Sequence, residues 1–327
     1  MKKISLRIMF GAALGLAIIA GATTAGAQSY PTRPITVIIP FAGGSASDVV
    51  TRIMLDKMSK SMGQPIIVEN RPGAGGNIGT GAASKAPPDG YTLVGTGVGP
   101  LGLNKALVRD MGYDPQKDFE PISLLTVFPN IIVASTKLPV NSLKELIEHA
   151  KANPGKLNYG SVGIGSSQHL AGEYFQQVAG VKLTHVPYRN IAQYGPDLMA
   201  GTVPLGFQWL PNVNAPLKSG GAKALAVPSK QRLAALPDVP TTAEAGLPAY
   251  EASGWFALLA PRGTPRPIVD KLSAEVGKAL NDPQVREKTQ VQGAYPSASS
   301  PDELRRFIAS ETAKWLAVIS KAGITPQ

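Results

Sequence analysis

The sequence predicts an α/β protein built from two doubly wound, mostly parallel sheets, and three observations carry that prediction. Apolar runs rich in Val and Ile alternate with helix-length amphipathic segments, the pattern of strands covered on both faces by crossover helices. The chain has 327 residues, more than one core usually supports, so two domains of roughly 100 to 150 residues are expected. Its 35 glycines and 29 prolines sit between the apolar runs and do not cluster, which indicates tight connections in a globular protein.

Residues 1–27 read as a cleavable signal peptide. Lys2, Lys3 and Arg7 form a basic start, Ile8 to Ala20 a short apolar core, and Ala25-Gly26-Ala27 a small-residue cleavage site. No later stretch offers the roughly 20 apolar residues of a spanning helix, so export to the periplasm as a soluble protein is expected. With no cysteine, the chain can form no disulfide, zinc–thiolate site, cysteine nucleophile or lipidated N-terminal Cys. Removing the three basic residues of the signal takes the formal charge from +10 to +7. That excess is dispersed, with no basic run interleaved with aromatics, so nucleic acid is not an expected partner.

The elements follow in order. Ile35 to Phe41 reads as a strand, Asp48 to Met62 as a helix, Pro65 to Glu69 as a strand, and Gly75 to Ser84 as a Gly/Ala-rich helix start. Tyr91 to Gly95 makes a third strand. Phe119 to Thr136 is a long extended stretch broken by Pro129, which suits a bridge between domains. A second series follows: helix Ser142 to Ala152 with a Ser142/Glu145 capping box, strand Leu157 to Val162, helix Gln168 to Ala179 and strand Leu183 to Pro187. A helix near Ala192 to Ala200 and strands Val203 to Trp209 and Ala222 to Val227 complete it. Phe256 to Ala260 is a strand, and helices Pro267 to Leu280 and Pro301 to Ala322 close the fold.

Two stretches share one plan. In Ile35 to Asp48, ITVIIPFAGGSASD, a strand delivers a glycine-rich turn to a helix N-terminus, with Phe41, Ala42, Gly43, Gly44 and Ser45 in the turn and Asp48 where a cap would fall. In Tyr159 to His169, YGSVGIGSSQH, the counterparts are Ser161, Gly163, Gly165, Ser166, Ser167 and His169. Unpaired N–H groups and the positive end of the helix dipole suit such turns to a carboxylate. They equally serve as plain turns and caps, and His169 serves either as a carboxylate donor or as a satisfied core group. Strand ends near Thr96 are further candidate positions, since ligands of such sheets bind beyond the carboxyl ends of strands.

The catalytic and cofactor patterns are absent. Gly163-Ile164-Gly165-Ser166-Ser167-Gln168 breaks the dinucleotide fingerprint at its third glycine, and no Walker lysine follows the glycines from Gly73 to Gly81. There is no G-x-S-x-G elbow, and three scattered histidines suggest no zinc site. No enzyme activity, cofactor or metal is expected.

The runs YPTRPITVIIPFAGGSASD, IIVENRPGAGGNIGTGAASKAPPDGYTL, YDPQKDFEPISLL, NYGSVGIGSSQHLAGEYF, THVPYRN, PDVPTTAEAG and WFALLAPRGTP resemble the substrate-binding proteins of tripartite tricarboxylate transporters, the Bug family, over essentially the whole mature chain. The resemblance implies a two-lobed, Venus-flytrap receptor of the type II-like periplasmic-binding-protein fold. Such a receptor closes on a small carboxylate and delivers it to membrane permease subunits, here acting as a monomer. Lobe 1 would comprise residues 28–128 and 252–327, and lobe 2 residues 129–251. The family's carboxylate loops fall on Phe41 to Ser45 and Ser161 to Ser167, and THVPYR places Tyr188 near the cleft. Where relatives carry an acid after the strand Val203 to Phe207, this chain has Gln208 and then Trp209. A neutral amide facing the cleft would disfavour an amino acid and favour a di- or tricarboxylate or an aromatic acid. Trp209 either stacks on such a ligand or packs. A sensory carboxylate-binding protein would need the same cleft.

Overall fold

The computed structural model describes residues 30–188 and 190–325. The predicted signal peptide lies outside the described residues.

Sheet A begins with three parallel strands, β1 (Ile35–Ile39), β2 (Ile66–Asn70) and β3 (Thr92–Gly97), linked by helices α1 (Ala46–Met62) and α2 (Asn77–Ser84). Its order is β11-β4-β10-β3-β1-β2, with β4 (Phe119–Pro129), β10 (Ser253–Pro261) and the short β11 (Tyr295–Pro296) added on one side. Sheet B has the order β7-β6-β8-β5-β9, from β5 (Ile131–Ser135), β6 (Asn158–Ser161), β7 (Thr184–Pro187), β8 (Leu205–Gln208) and β9 (Ala222–Ala226). The apolar runs report position in the sheet: β5 and β10 are buried almost throughout, whereas the outer strands β2 and β7 are only partly covered.

Each sheet contains a central strand antiparallel to both neighbours. In sheet A it is β10, between β3 and β4; in sheet B it is β5, between β8 and β9. These are the strands by which the chain crosses between sheets. β4 passes through Asn130 into β5, and the return passes through Ala252 into β10. The Asn130 N–H donates to the Ala252 carbonyl at 3.0 Å, tying the two crossings together.

Helix starts differ from the sequence expectation in an informative way. Helix α1 begins at Ala46, with Ser45 as its cap, so Asp48 is the third helical residue and not the cap. In the helix Leu143–Ala152 the Ser142 hydroxyl caps as expected, but the Glu145 carboxylate reaches past it to the Asn141 N–H at 2.8 Å. Here α3 is Asn104–Leu107, following a wide turn at Gly99–Leu103, and α4 is Leu143–Ala152. The other helices of this half are α5 (Ser167–Ala179), α6 (Tyr194–Ala200) and α7 (Leu210–Lys218). Helix α7 escaped the sequence reading because Pro211 and Pro216 sit inside it. Pro211 occupies the first turn, where no N–H is needed, and Pro216 is buried near the far end.

The C-terminal part contains α8 (Arg266–Asn281), α9 (Pro283–Val291) and α10 (Pro301–Ala322). Helix α10 opens with a full Ser300/Glu303 capping box. It packs on sheet A and also on α5: Trp315 meets Tyr174 edge to face at 6.1 Å, and the Gln177 amide donates to the Val318 carbonyl. The largest of the buried clusters described therefore runs from Val94, Leu103 and Trp255 on the sheet A side to Ile132, Phe175 and Phe207 on the sheet B side.

Candidate functional site

The turns ahead of α1 and α5 have nearly the same backbone. Gly44 and Gly165 both take φ +78°, a left-handed conformation that a side chain would strain. The following serines, Ser45 and Ser166, are extended N-caps with φ −67° and ψ 160° and 157°. Their hydroxyls accept from the N–H of Asp48 and His169, and those same residues return a side-chain acceptor to the glycine N–H. Asp48 Oδ2 accepts from Gly44 N at 2.9 Å, and His169 Nδ1 accepts from Gly165 N at 3.1 Å.

This latch satisfies every N–H of each turn from the glycine to the third helical residue except two. Ala46 and Ser47 on α1, and Ser167 and Gln168 on α5, have backbone N–H groups with no partner among the described residues. Four free donors thus stand at the positive ends of two helix dipoles.

Both helix starts abut one aromatic floor. Ala46 packs in a cluster with Phe128 and Phe256, flanked by the half-buried Phe41 and Trp209. Trp209 stacks on Phe128 at 5.0 Å, and Phe41 and Trp209 each meet Phe256 edge to face, at 5.8 and 5.4 Å. Ser167 reaches the same floor from the other side. A Cβ on Gly254 would lie 2.9 Å from Ser167 Oγ and against the Trp209 ring, so β10 must carry glycine there. The Gly165 turn also meets the opposite wall, where a Cβ would lie 2.5 Å from Leu107 Cδ1 of α3.

The structure sorts the predicted residues. Ala42, Gly43 and Gly44 are exposed, Phe41, Ser45, Gly163 and Ser166 half-buried, and Ser167 and Gly165 buried where the two sides meet. Asp48 is corrected from ligand contact to scaffold: it is buried, and besides Gly44 it takes Arg52 Nε and Asn70 Nδ2, each at 2.9 Å. Thr96 is corrected as well, being inside β3, fully buried and 3.3 Å from the Thr80 hydroxyl. Tyr188 spends its hydroxyl on Asp197 at 2.6 Å and packs on Tyr194 within the sheet B side. Gln208 is fully buried, its amide donating to the Gly160 carbonyl and accepting from Asn212. It therefore does not face the cleft, and the selectivity argument built on it falls.

Ser161 and His169 lie beneath their turn. Ser161 Oγ is 2.6 Å from His185 Nε2 and accepts from Gly163 N at 3.0 Å. His169 stacks on His185 at 4.1 Å. Burial, and then the neighbouring His185, lower the His169 pKa to about 3; burial lowers that of His185 to about 4. The Glu173 carboxylate, 3.9 Å from His169 Nε2, is too far for a hydrogen bond and does not offset burial. Nδ1 therefore stays an acceptor at neutral pH.

Sequence reasoning missed Asn70, Arg52, Asn130 and the Phe128/Phe256 pair. Their roles arise from contacts across many residues of sequence, for which the chain carries no local signal.

The arrangement is one of donors around an aromatic floor, suited to an anion with an apolar body. A family model described as the tripartite tricarboxylate transporter family receptor matches residues 50–324. The chain belongs to this family. Its members are solute-binding receptors of the periplasm and not enzymes, and their two-lobed fold is that of this receptor. The receptor is 38% identical to Protein BugT of Bordetella pertussis over 298 residues, 91% of each chain. It is similar to the structure of Rhodopseudomonas palustris Rpa4515 with adipate, at TM-score 0.84 and 38% identity, covering 91% of this chain and 100% of that one. MatC from the same organism, with bound malate, gives TM-score 0.78 at 34% identity, covering 89% and 100%.

Proposed function

We propose that this receptor closes on a small organic dicarboxylate between its lobes and hands it to the membrane permease of a tripartite tricarboxylate transporter. The observation that carries the reading is the pair of matched turns, which leaves the N–H groups of Ala46, Ser47, Ser167 and Gln168 free at a common floor. Each charge-assisted bond to a carboxylate contributes roughly 1.5 to 3 kcal/mol, and micromolar affinity needs about 8 kcal/mol. Four such donors supply that range. Adipate and malate, found with two similar receptors, are both aliphatic dicarboxylates and support this ligand class. In this reading residues 1–27 are a cleavable export signal. Lobe 1 is 28–128 with 252–327 and lobe 2 is 129–251, hinged where β4 meets β5 and where the chain returns to β10. The protein works as a monomer.

A thermal-shift screen of the mature protein from Gln28 against mono-, di- and tricarboxylates and acidic amino acids tests binding. A ligand at 100 times its dissociation constant adds about 2.7 kcal/mol, and dicarboxylates should give the largest shifts. A protein that melts identically with every acid is not a carboxylate receptor. For delivery, deleting the gene should abolish uptake of the acid so identified; uptake that persists would remove the transport role.

A further inference from the structure

Two buried side-chain donors at the cleft floor have no acceptor. Asn130 is fully buried at the crossing between β4 and β5. Its N–H holds Ala252 and its Oδ1 accepts from Ser167 Oγ at 2.9 Å, while Nδ2 has no partner among the described residues. Trp209 Nε1 is also buried and without a partner. The two belong together: Trp209 Cε2, the ring atom bonded to Nε1, and Ser167 Oγ each lie 2.9 Å from the point where a Gly254 Cβ would be, and Ser167 bonds the Asn130 amide. Two other unpartnered groups, Tyr194 Oη and Trp255 Nε1, lie apart from this floor. Tyr194 packs against Gly160 and Gly206 inside the sheet B side, and Trp255, on the opposite face of β10 from Gly254, packs on Phe307.

Buried polar groups are ordinarily paired, and leaving one unmade costs free energy. Two unmet donors beside the free N–H groups of Ser167 and Gln168 therefore form an incomplete site whose missing part is an acceptor.

We propose that Asn130 Nδ2 and Trp209 Nε1 bind a carboxylate oxygen of the ligand at the hinge, so that the crossing strand takes part in recognition. This rests on the receptor reading above and adds two ligand-contacting residues. The unmet groups at this end, Asn130 Nδ2, Trp209 Nε1 and the N–H groups of Ser167 and Gln168, are all donors, so the end favours a deprotonated carboxylate over an ammonium. Asn130 also carries the backbone bond that joins the two crossings, so occupancy and lobe geometry share one residue.

The test uses the three indole resonances of the 15N-labelled mature protein, with Trp209 assigned by Trp209→Phe, and adipate, malate and citrate as probes. Trp315 Nε1 already donates to Glu311 at 3.0 Å and serves as the internal reference. On saturation with a binding acid the Trp209 indole proton should move downfield while that of Trp315 stays in place. Trp209→Phe keeps an aromatic ring against Phe128 and should weaken binding about tenfold, measured on variant protein kept well below its own melting temperature; Asn130→Asp should weaken it at least as much. Binding with an unmoved Trp209 resonance, or wild-type affinity in Trp209→Phe, overturns this inference alone. No stabilisation by any of the three acids overturns the receptor reading and this inference with it.

Discussion

The turns before α1 and α5 build the same backbone with opposite electrostatics. At Gly44 the latch is a carboxylate: Asp48 holds the glycine N–H and is itself held by Arg52 and Asn70, and Asn70 also donates to the Phe41 carbonyl at 3.0 Å. At Gly165 the latch is a neutral imidazole, kept neutral by burial against His185. Both free the next two helical N–H groups for a ligand. The comparison teaches that the acceptor for the glycine N–H is what the local geometry demands, and that its charge is set by the surroundings. An anion beside α1 is tolerated because a guanidinium neutralises it. Among the described residues His169 pairs with no cation, so a carboxylate there would lack the neutralisation that Arg52 gives Asp48.

The largest expected effect comes from disturbing the charged latch. In Asp48→Asn one amide cannot accept from Gly44, Arg52 and Asn70 together, and its NH2 must face a donor. A loss of about 3 kcal/mol is expected in urea unfolding, with weaker ligand binding as the turn loosens. If stability were unchanged, Asp48 would not be the scaffold of the turn.

The glycines come next. Gly165→Ala meets both left-handed strain, about 1 to 2 kcal/mol, and the Leu107 side chain across the cleft; Gly44→Ala meets the strain with open space around it. Both should lose similar stability in the free protein if the lobes can part. Gly165→Ala should lose several-fold more affinity, measured by calorimetric titration. Equal affinities would mean that the Leu107 contact plays no part in closure.

The neutral latch gives the smallest effect and the clearest pH signature. In the unfolded chain His169 and His185 titrate near 6.5; in the folded protein they titrate at about 3 and about 4. The unfolded state therefore binds more protons as pH falls below 6.5, and stability drops by up to ~1.4 kcal/mol per pH unit for each histidine. Carboxylates held low, such as Glu275 and Asp282, add their own loss only below about pH 4.5. The groups facing His169 are His185, Glu173 and, through its hydroxyl on the His169 carbonyl, Tyr159. His169→Asn, which can offer Gly165 an amide oxygen as Asp48 does for Gly44, should change stability at pH 8 by less than about 1 kcal/mol. It should also roughly halve the slope between pH 6.5 and 4.5. Melting curves across that range decide it, and an unaltered slope would show that His169 is already charged there.

Much of this was legible in the chain. The Gly-Ser turns, the helices they open, the strands that precede them and the pause at Pro129 all come from local rules: glycine where φ is positive, serine where the first N–H groups need an acceptor, and Val/Ile runs where both faces are covered. The assignments that the structure corrects share one cause. Asp48, Thr96 and Gln208 are polar residues at or near strand and helix ends, and position suggested a ligand for each. A polar group near a strand or helix end is available only if nothing else in the fold takes its hydrogen bonds. Those partners, Arg52, Asn70, Thr80, Gly160 and Asn212, are supplied by folding.

Backbone conformation and helix-end chemistry are fixed within a few residues, and the two sheets, the two matched helix entries and their suitability for an anion follow from the chain alone. Which donors remain free is a matter of tertiary contacts. Hydrogen-bond capacity is finite, and whether Asn130 Nδ2 and Trp209 Nε1 go without an acceptor while Gln208 Nε2 finds one in Gly160 depends on neighbours brought together across the crossing between the sheets.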